Sequence, residues 1–445
     1  MKKIIKKIVP EFIFSFYHWL WAFGSALFYA FPSKDMVVVG VTGTKGKSST
    51  VFMLAKILEE AGLSVAVSSS LIFKIKEKEW VNPYHMTMVG RHRLQKLIFQ
   101  AKKAGCKYLL VEVTSEGIKQ HRSKFIDFDV AVFTNLSPEH LLAHGGSFEK
   151  YKETKGKLFG GLSSKKKKII DGKKIEKSIL VNADDEHSEY FLNFSADKKY
   201  IFGESEKVKN KKGVDGNFVL SGIGVKADGL EFSLNGKNFY LPLFGKFNVL
   251  NAGLAASCAN ILGVGFEEAK EALKKIKKIK GRAEYIKAGQ KFDVIVDLAH
   301  TPSSYEAIFE AVKFSKKPKG RIISVFGAAG GGRDKWKRPE LGRIAAENSD
   351  IIILTNEDPY DEDPKSILED IKKGIDEFGF SGDFKIILDR KEAIKYAVSI
   401  AKENDTLLFL GKGTERTQAI AGKNYPWNEE KEVIKAITDS KEKLL

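Results

Sequence analysis

The chain has 445 residues, enough for two or three domains, and 43% hydrophobic residues with 11% aromatics are typical of packed cores. The only two cysteines, Cys106 and Cys258, exclude a disulfide framework and a cysteine-based zinc site. We therefore expect a reducing, cytoplasmic setting. The net charge of +17 comes from lysine runs without interleaved aromatic residues. This argues against a nucleic-acid partner and favours anionic small substrates or an anionic membrane surface.

The first 34 residues combine a basic start with an apolar, aromatic run from Phe12 to Phe31. The basic residues are Lys2, Lys3, Lys6 and Lys7. The run would just span a bilayer, but lysines retained in the cytoplasm would then export the domain that follows. We predict a helix that either makes a peripheral membrane contact through residues 1–33 or packs on the protein body or a partner.

The next stretch has the pattern of a phosphate-binding loop. The β-branched residues Val37–Val41 predict a buried strand, and the segment from Thr50 to Gly62 has helical spacing. The glycine-rich turn between them would cradle phosphates with backbone N–H groups, although Val41 stands where the usual pattern has glycine. We assign nucleotide binding to Gly43, Thr44, Lys45, Gly46, Lys47, Ser48 and Ser49. A strand–turn–helix without a ligand is the alternative.

Two later strands are expected to deliver side chains to this loop. The strand from Tyr108 to Val113 carries Glu112 at its end, and the strand starting at Val130 is followed by His140. Parallel strands place ligand groups beyond their carboxyl ends, so we expect both side chains to converge on the loop. Glu112 could complete a Mg²⁺ shell with the hydroxyl of Ser48.

The rest of the chain predicts further α/β structure. Residues 165–240 resemble irregular strands and turns, and a small-residue helix follows through Ala259. Beyond a lysine-rich boundary, strands alternate again with helical patterns. We predict an α/β fold with a P-loop-type doubly wound central ATPase domain and a C-terminal Rossmann-like α/β domain. The predicted divisions are an N-terminal helix at 1–34, a central domain at 35–280 and a C-terminal domain at 281–445.

Several motifs in this order resemble those of the Mur ligases, and most closely the UDP-N-acetylmuramyl-tripeptide synthetase branch. The resemblance covers roughly residues 36–435. The motifs are GTKGKSS (43–49), EVTSEGIKQHR (112–122), TNLSPEH (134–140), the Lys155 segment, GKFNVLNAG (245–253), DLAHTP (297–302), GGGRDKWKRPELG (330–342), DRKEAI (389–394) and GKGTE (411–415).

The resemblance implies ATP-dependent amide ligation with Mg²⁺. A substrate carboxylate attacks the γ-phosphate to give an acyl phosphate, and the amine of an amino acid then displaces phosphate. Lys47, Lys155 and His140 match catalytic positions, and Ser48, Glu112, Lys155 and His140 match those of the metal site. Lys155 matches the lysine that the family carbamylates. A buried lysine has a lowered pKa, and its neutral amine can take up CO₂.

The resemblance also implies the substrate contacts of a UDP-muramyl-peptide-like acceptor and an amino acid. Positions for the base and ribose of the nucleotide are Asn251, Arg282 and Asp297. Positions for the muramyl substrate are Thr87, Thr114, Gln120 and Arg122. Positions for the amino acid are Asp358, Arg390, Gly411 and Glu415. We expect the protein to act as a monomer.

Three departures from the family pattern concern the substrates. We expect no uridine-binding domain ahead of Val37, and Met88 and Glu116 replace a usual threonine and histidine. The amino-acid signature reads Glu357-Asp358-Pro359-Tyr360, without its arginine. This acidic loop predicts lysine or ornithine rather than diaminopimelate as the added amino acid. A folylpolyglutamate-synthetase-like ligase and a non-catalytic nucleotide-binding scaffold are the alternatives.

Overall fold

The computed structural model describes residues 10–84, 86–204, 206–316 and 320–442. The four lysines near the start of the chain lie outside this range. The chain forms two compact units. The first holds most of the chain up to Lys275, and the second holds most of it from Ile276 onward together with Val225–Leu230 and Pro242–Asn248.

The first unit is built on a large sheet. Its strands are β1 (Val37–Thr42), β2 (Val65–Ser68), β3 (Ile72–Ile75), β4 (Lys78–Val81), β5 (Tyr108–Glu112), β6 (Val130–Phe133), β9 (Ser178–Asn182), β10 (Lys198–Gly203), β11 (Gly216–Lys226), β12 (Gly229–Leu234) and β13 (Lys237–Leu241), with a separate hairpin of β7 (Ile169–Ile170) and β8 (Lys173–Lys174). The strand order is β13-β12-β11-β10-β9-β6-β1-β5-β2-β3-β4. Strand β1 lies between β5 and β6, parallel to both, and every one of its residues is buried. This explains its uninterrupted apolar sequence.

Helices flank this sheet. They are α1 (Glu11–Phe28), α2 (Lys47–Glu60), α3 (Arg91–Lys103), α4 (Ser115–Lys119), α5 (Phe148–Ser163), α6 (Ser188–Leu192), α7 (Glu206–Asn210), α8 (Lys246–Ile261) and α9 (Phe266–Lys274). Helix α2 begins three residues before the predicted start at Thr50. The glycine-rich turn ends already at Gly46, which has φ = +80°, and helical geometry begins directly after it.

The segment from 165 to 240 is more regular than its sequence indicated. Strands β9 and β10 pair in parallel and extend the central sheet, and β11 pairs in parallel with β10. The predicted strands are therefore present, but most of them are regular members of the large sheet. Strand β11 has many partly or fully exposed positions, and its three glycines hide the alternation that marks a half-buried strand.

Helix α1 packs on the first unit through aromatic side chains. The rings of Trp19 and Phe23 lie 5.7 and 5.5 Å from the ring of Phe125. After the helix, the ring of Tyr29 lies 5.3 Å from that of Phe99 on α3. This agrees with the interpretation that the segment packs on the body. In the part of the chain that is described, no helix is long and apolar enough to cross a membrane.

The second unit contains a smaller sheet. Its strands are β14 (Glu284–Tyr285), β15 (Asp293–Asp297), β16 (Ile322–Phe326), β17 (Ile351–Leu354), β18 (Asp383–Ile386) and β19 (Thr406–Leu410), followed by a hairpin of β20 (Thr417–Ile420) and β21 (Lys423–Pro426). The order is β14-β15-β19-β16-β17-β18, and only β14 runs antiparallel to its neighbour. The helices of this unit are α10 (Pro302–Lys316), α11 (Lys337–Asn348), α12 (Pro364–Phe378), α13 (Arg390–Ile400) and α14 (Glu429–Glu442). Buried side chains form a core on each face of the sheet, as in a doubly wound fold.

Candidate active site

The turn between β1 and α2 is fixed by backbone conformation and by the segment after β6. Gly43 has φ = +146°, and a Cβ there would lie 2.0 Å from Thr134 Oγ1, so only glycine fits. The amide of Lys45 donates to Asn135 Oδ1 at 2.8 Å, and Thr134 Oγ1 donates to Lys45 O at 2.6 Å. The N-terminus of α2 follows directly, so the turn has the geometry of an anion site.

Lys47 and Asn251 both lie at this turn. Lys47 Nζ donates to Thr44 O at 2.8 Å, which keeps its ammonium group over the loop. Asn251 is buried on α8, and a Cβ at Gly46 would lie 2.3 Å from its Oδ1. The structure therefore brings these two predicted nucleotide-binding residues to the same loop.

Glu112 and Ser48 meet beneath the loop. Ser48 Oγ lies 3.0 Å from each carboxylate oxygen of the buried Glu112. Ser70 completes the group, because its backbone N–H and its hydroxyl donate to Glu112 Oε2 at 2.8 and 3.0 Å. Sequence reasoning missed Ser70, although the serine run after β2 was a signal for it.

This group fits a divalent cation. Among the described residues, no cationic side chain forms an ion pair with Glu112, so a buried carboxylate is held by neutral donors alone. No cluster of three or more acidic, histidine or cysteine residues that could hold a metal occurs in those residues. Mg²⁺ is commonly held by one or two protein oxygens together with substrate phosphates, so a hydroxyl and one carboxylate suffice.

His140 and its neighbour Glu139 differ in exposure. The His140 side chain is 48% exposed, and its Nε2 lies 3.8 Å from Glu139 Oε1. Glu139 is buried and forms an ion pair with Lys45 at 3.4 Å. Of the two, Glu139 is the buried acid beside the loop, and the assignment of the metal site to His140 or one of its neighbours stays a prediction.

Lys155 is buried on α5 directly under the loop. Its Nζ donates to Gly43 O at 2.7 Å and lies 4.6 Å from the centroid of the Tyr151 ring. Burial, and then the charge of Lys47, lower the pKa of Lys155 well below its usual value, while Glu139 and Glu112 oppose the shift. Both causes disfavour the charged form, so the site favours a neutral amine.

Of the residues predicted to hold the muramyl substrate, Thr114, Gln120 and Arg122 follow β5, and Thr87 precedes α3. Thr114 caps α4 by accepting a hydrogen bond from Gly117 N at 3.1 Å. Arg122 Nη2 donates to Gln120 Oε1 at 2.7 Å, and Arg122 Nη1 donates to Met88 O. Thr87 is half-buried and precedes Met88 in the chain. Met88, one of the departures from the family pattern, is thus part of this group.

In the second unit, Asp297 organises the end of β15. Its two oxygens accept hydrogen bonds from Ala283 N and Ala299 N, each at 2.6 Å. These contacts fix the backbone next to Arg282, the other residue of this unit that the resemblance assigns to the nucleotide.

Arg390 was predicted to contact the amino acid, but the structure places it in a buried ion pair. It and Glu429 have fully buried side chains, joined by bonds of 2.6 to 3.0 Å from Nε and Nη2. Arg390 Nη1 and Nη2 also donate to Asn356 O and Leu410 O at 3.3 and 2.8 Å. A guanidinium held in this way supports the fold of its own unit rather than presenting donors to a substrate.

The acidic residues near the amino-acid signature are neutralised from within. The buried Lys412 donates to Asp358 Oδ2 at 2.9 Å, Glu415 Oε2 at 2.7 Å and Thr417 O at 2.8 Å. Burial raises the pKa of Glu415 to about 7, against the effect of Lys412. Gly411 has φ = +102°, and a Cβ there would lie 2.5 Å from Glu357 Oε2.

Two further acids of this loop also have partners. Asp363 caps α12 by accepting from Lys365 N and Ser366 N, and Glu362 forms an ion pair with Arg338 at 2.8 Å. Three of the five acids of this loop are therefore paired or capping within the unit, whereas the buried Glu357 Oε2 forms no hydrogen bond among the described residues, so lysine or ornithine as the added amino acid stays a prediction.

Comparison with known proteins agrees with this organisation. Residues 41–259 match the model of the Mur ligase middle domain, and residues 281–413 match that of the Mur ligase glutamate ligase domain. The UDP-N-acetylmuramyl-tripeptide synthetase of Treponema denticola is 38% identical over 420 residues, which cover 91% of this chain and 77% of that protein. The UDP-N-acetylmuramoyl-L-alanyl-D-glutamate–2,6-diaminopimelate ligase of Caldanaerobacter subterraneus is 36% identical, with coverage of 94% and 81%.

Solved structures show the same fold. The structure of a UDP-N-acetylmuramoyl-L-alanyl-D-glutamate–2,6-diaminopimelate ligase matches with a TM-score of 0.58 at 28% identity, covering 91% of this chain and 79% of that one. Folylpolyglutamate synthase of Mycobacterium tuberculosis, complexed with ADP, has a TM-score of 0.68 at 15% identity, with coverage of 88% and 91%. The second likeness is one of fold alone.

The chain belongs to the Mur ligase family. It is an ATP-dependent, ADP-forming ligase of peptidoglycan precursor synthesis, which confirms the predicted family, fold class and reaction type.

The buried pair of Arg390 and Glu429 makes a stability prediction. Arg390→Met leaves Glu429 as an uncompensated buried charge, which should lower the free energy of unfolding by about 3–5 kcal/mol. Replacing both residues with apolar ones, Arg390→Met with Glu429→Leu, should cost less than the sum of the two single changes. Urea unfolding of the three variants measures this. Additive losses would contradict the coupling, and a normal unfolding curve for Arg390→Met with a raised KM for the amino acid would restore the substrate contact.

Proposed function

We propose that this ligase adds an amino acid to the carboxylate of a UDP-linked muramyl peptide through an acyl phosphate. The observation that carries the proposal is the assembly beneath one loop of the Ser48–Glu112 pair and the buried amine of Lys155. The names of the similar synthetases support the acceptor and the kind of bond formed.

In this proposal the phosphate loop binds ATP, and Ser48 and Glu112 hold Mg²⁺. The bound ion would neutralise charge on the phosphates. Lys47 supplies a further positive charge from the loop itself, and the backbone N–H groups at the start of α2 orient the same groups. On the resemblance, we assign Asn251, at the loop, and also Arg282 and Asp297 to the base and ribose of the nucleotide.

Lys155 would act as a carbamate. The neutral amine nitrogen bonds to the carbon of CO₂ and loses one proton to solvent, which turns a buried, uncharged amine into a carboxylate. The positive charge of Lys47, which disfavours an ammonium group at Lys155, would favour this anionic product. The carbamate also places a second acidic group beside Glu112 and Glu139.

The acceptor would lie against Thr87, which precedes α3, and against Thr114, Gln120 and Arg122, which follow β5. Asp358, Gly411 and Glu415 would contact the amino acid, with Lys412 fixing the two acids. Arg390 is a structural residue in this proposal. We propose a monomer with domains at 35–280 and 281–445, acting in the cytoplasm.

We also propose that the free face of α1 rests in the interface of an anionic membrane. Phe12, Phe16, Trp21 and Phe28 are 72%, 63%, 54% and 76% exposed although they belong to one aromatic helix. Exposed aromatic faces of this kind insert at the level of lipid headgroups. The net charge of +17 and the lysine-rich sequence that precedes the helix favour an anionic surface.

The ligase proposal predicts that ADP forms only when a muramyl peptide, an amino acid and Mg²⁺ are all present. Lys47→Ala should lower kcat by about 10²–10³, because it removes a charged contact made in a site that excludes water. A coupled ADP assay measures both effects. Lys56→Ala, on the same helix and paired with Glu59 and Glu79, is the matched control and should keep its activity. Full activity of the Lys47 variant, or ADP release without the acceptor, would contradict the assignment.

The carbamate predicts a response to CO₂. Activity of the wild-type protein should fall after CO₂ is removed and return when bicarbonate is added, and Lys155→Ala should be inactive under both conditions. Lys150→Ala, an exposed lysine of the same helix, should respond like the wild type. Isotope-labelled CO₂ observed by ¹³C NMR provides a second readout. Activity that is indifferent to CO₂, with no carbamate signal, would leave Lys155 as an ordinary buried amine.

The membrane proposal predicts binding to vesicles that contain phosphatidylserine, weakened by salt. Replacing Phe12, Phe16 and Trp21 together by Ala should weaken binding about tenfold or more, because it removes three apolar groups from the interface. Ile169→Ala, which removes an exposed apolar side chain elsewhere, is the control. Co-sedimentation of the full chain decides it. Equal binding of the triple variant and the control, or no binding at all, would refute the proposal.

A further inference from the structure

The face of α1 that packs on the first unit covers a group of cationic side chains. Ser15 Oγ and His121 Nε2 are 2.8 Å apart, and His18 follows one turn later on the same face. Beneath the helix, Arg91 Nε donates to Gln120 O at 2.9 Å, and Arg122 Nη2 donates to Gln120 Oε1 at 2.7 Å. The two guanidinium groups are thus held on the two sides of one glutamine.

Polar atoms in this group are buried without protein partners. Within the described residues, His18 Nδ1, Arg91 Nη2 and Arg122 Nε are shielded from solvent and form no hydrogen bond. A buried donor without an acceptor costs about 1–3 kcal/mol, and more when it is charged. The two guanidinium donors, together with an imidazole nitrogen in the same group, indicate a place built to receive an acceptor from outside the chain.

The charges of the group lead to the same conclusion. Burial, then Arg91, His121 and Arg122, lower the pKa of His18 to about 4. Burial and Arg122 lower the pKa of Arg91. Glu116 is the acid that opposes these effects at His18 and at Arg122, and it also accepts a hydrogen bond from Gln120 Nε2 at 2.5 Å. Cations that disfavour one another in this way would be stabilised by a bound anion.

We propose that His18, Arg91 and Arg122 form a binding site for a phosphoryl or diphosphate group, and that α1 completes this site. A phosphoryl or diphosphate group has several oxygens and at least two negative charges. It therefore fits two guanidinium groups and an imidazole better than a ligand with one carboxylate would. The inference rests on the proposed function only in assigning the bound diphosphate to the acceptor. In that assignment, the diphosphate is the one that links the muramyl sugar to the nucleotide or lipid that carries it.

The carrier has two possible chemical sources, a nucleotide and a lipid. In either case the diphosphate would lie under a helix whose other face is aromatic and exposed. A lipid-linked acceptor would reach the site from the membrane against which that face is proposed to rest.

The site is tested with inorganic pyrophosphate in the Lys47→Ala background, without Mg²⁺, so that the phosphate loop contributes little. Calorimetry should show binding that weakens about tenfold with Arg91→Gln and again with His18→Ala, as charged hydrogen bonds are lost. Arg93→Ala is the matched control, because Arg93 lies on the same helix and stacks on Tyr84 at 4.3 Å. Equal affinity in the Arg91, His18 and Arg93 variants would overturn the site, and so would tighter binding of malonate than of pyrophosphate.

Thermal unfolding gives a readout that also checks folding. Pyrophosphate should raise the Tm of the parent but not of Arg91→Gln, and each shift is measured from the Tm of the same protein without pyrophosphate, because Arg91→Gln also loses the hydrogen bond to Gln120 O. A Tm increase of equal size in both proteins would contradict the inference.

Steady-state kinetics then distinguishes a nucleotide-linked from a lipid-linked acceptor. It also tests the diphosphate site separately from the ligase proposal. His18→Ala and Arg91→Gln should raise KM for a UDP-muramyl dipeptide, or for the same dipeptide on a polyprenyl diphosphate in vesicles, without changing KM for ATP. Unchanged KM for every acceptor that is consumed would overturn the inference while the ligase proposal stands. Pyrophosphate binding that depends on Arg91, in a protein that consumes neither acceptor, would support the site and contradict the proposed function.

Discussion

The contact between the buried amine of Lys155 and the carbonyl of Gly43, at 2.7 Å, is the constraint on which the site depends. It ties α5 to the first residue of the phosphate loop, whose φ of +146° only glycine adopts easily. Thr134 and Asn135 hold the next part of the loop, so the loop is fixed from two sides. A loop fixed in this way presents its N–H groups without having to order itself when a nucleotide binds.

This arrangement concentrates opposite charges that do not cancel. Lys45 pairs with Glu139, whereas Glu112 is surrounded by serine donors and Lys155 by a carbonyl and an aromatic ring. A buried carboxylate without a cation and a buried amine without an anion are both costly in a folded protein. In the proposed carbamate form, with a metal ion between the two acids, each cost would fall, so the charges favour a loaded state of the site.

How far the sequence predicted the structure depends on what each signal measures. Strands β1, β15 and β19 are buried on both faces, so apolar runs such as Val37–Val41 marked them almost to the residue. Glu112 was placed correctly at the loop, because parallel strands bring their ends together. The buried pairing of Arg390 was not predicted. No sequence signal distinguishes an arginine that contacts a substrate from one paired with Glu429, 39 positions away. The neutralisation of Asp358 by Lys412, across 54 positions, was hidden in the same way.

The aromatic composition of the N-terminal helix was evident from the sequence, but the surroundings of its side chains were not. The aromatic run has one sequence but two environments: Trp19 and Phe23 pack on Phe125, while Phe12 and Phe28 stay exposed. The sequence offered membrane contact and packing on the body as alternatives, yet a helix has two faces and both can apply to it at once. Its packed face also covers Arg91 and Arg122, each of which has one buried nitrogen, Nη2 and Nε respectively, without an acceptor among the residues described. Held over the residues that follow β5, the helix therefore connects an apolar surface to a cationic one, and an amphiphilic anion is the kind of molecule that matches both.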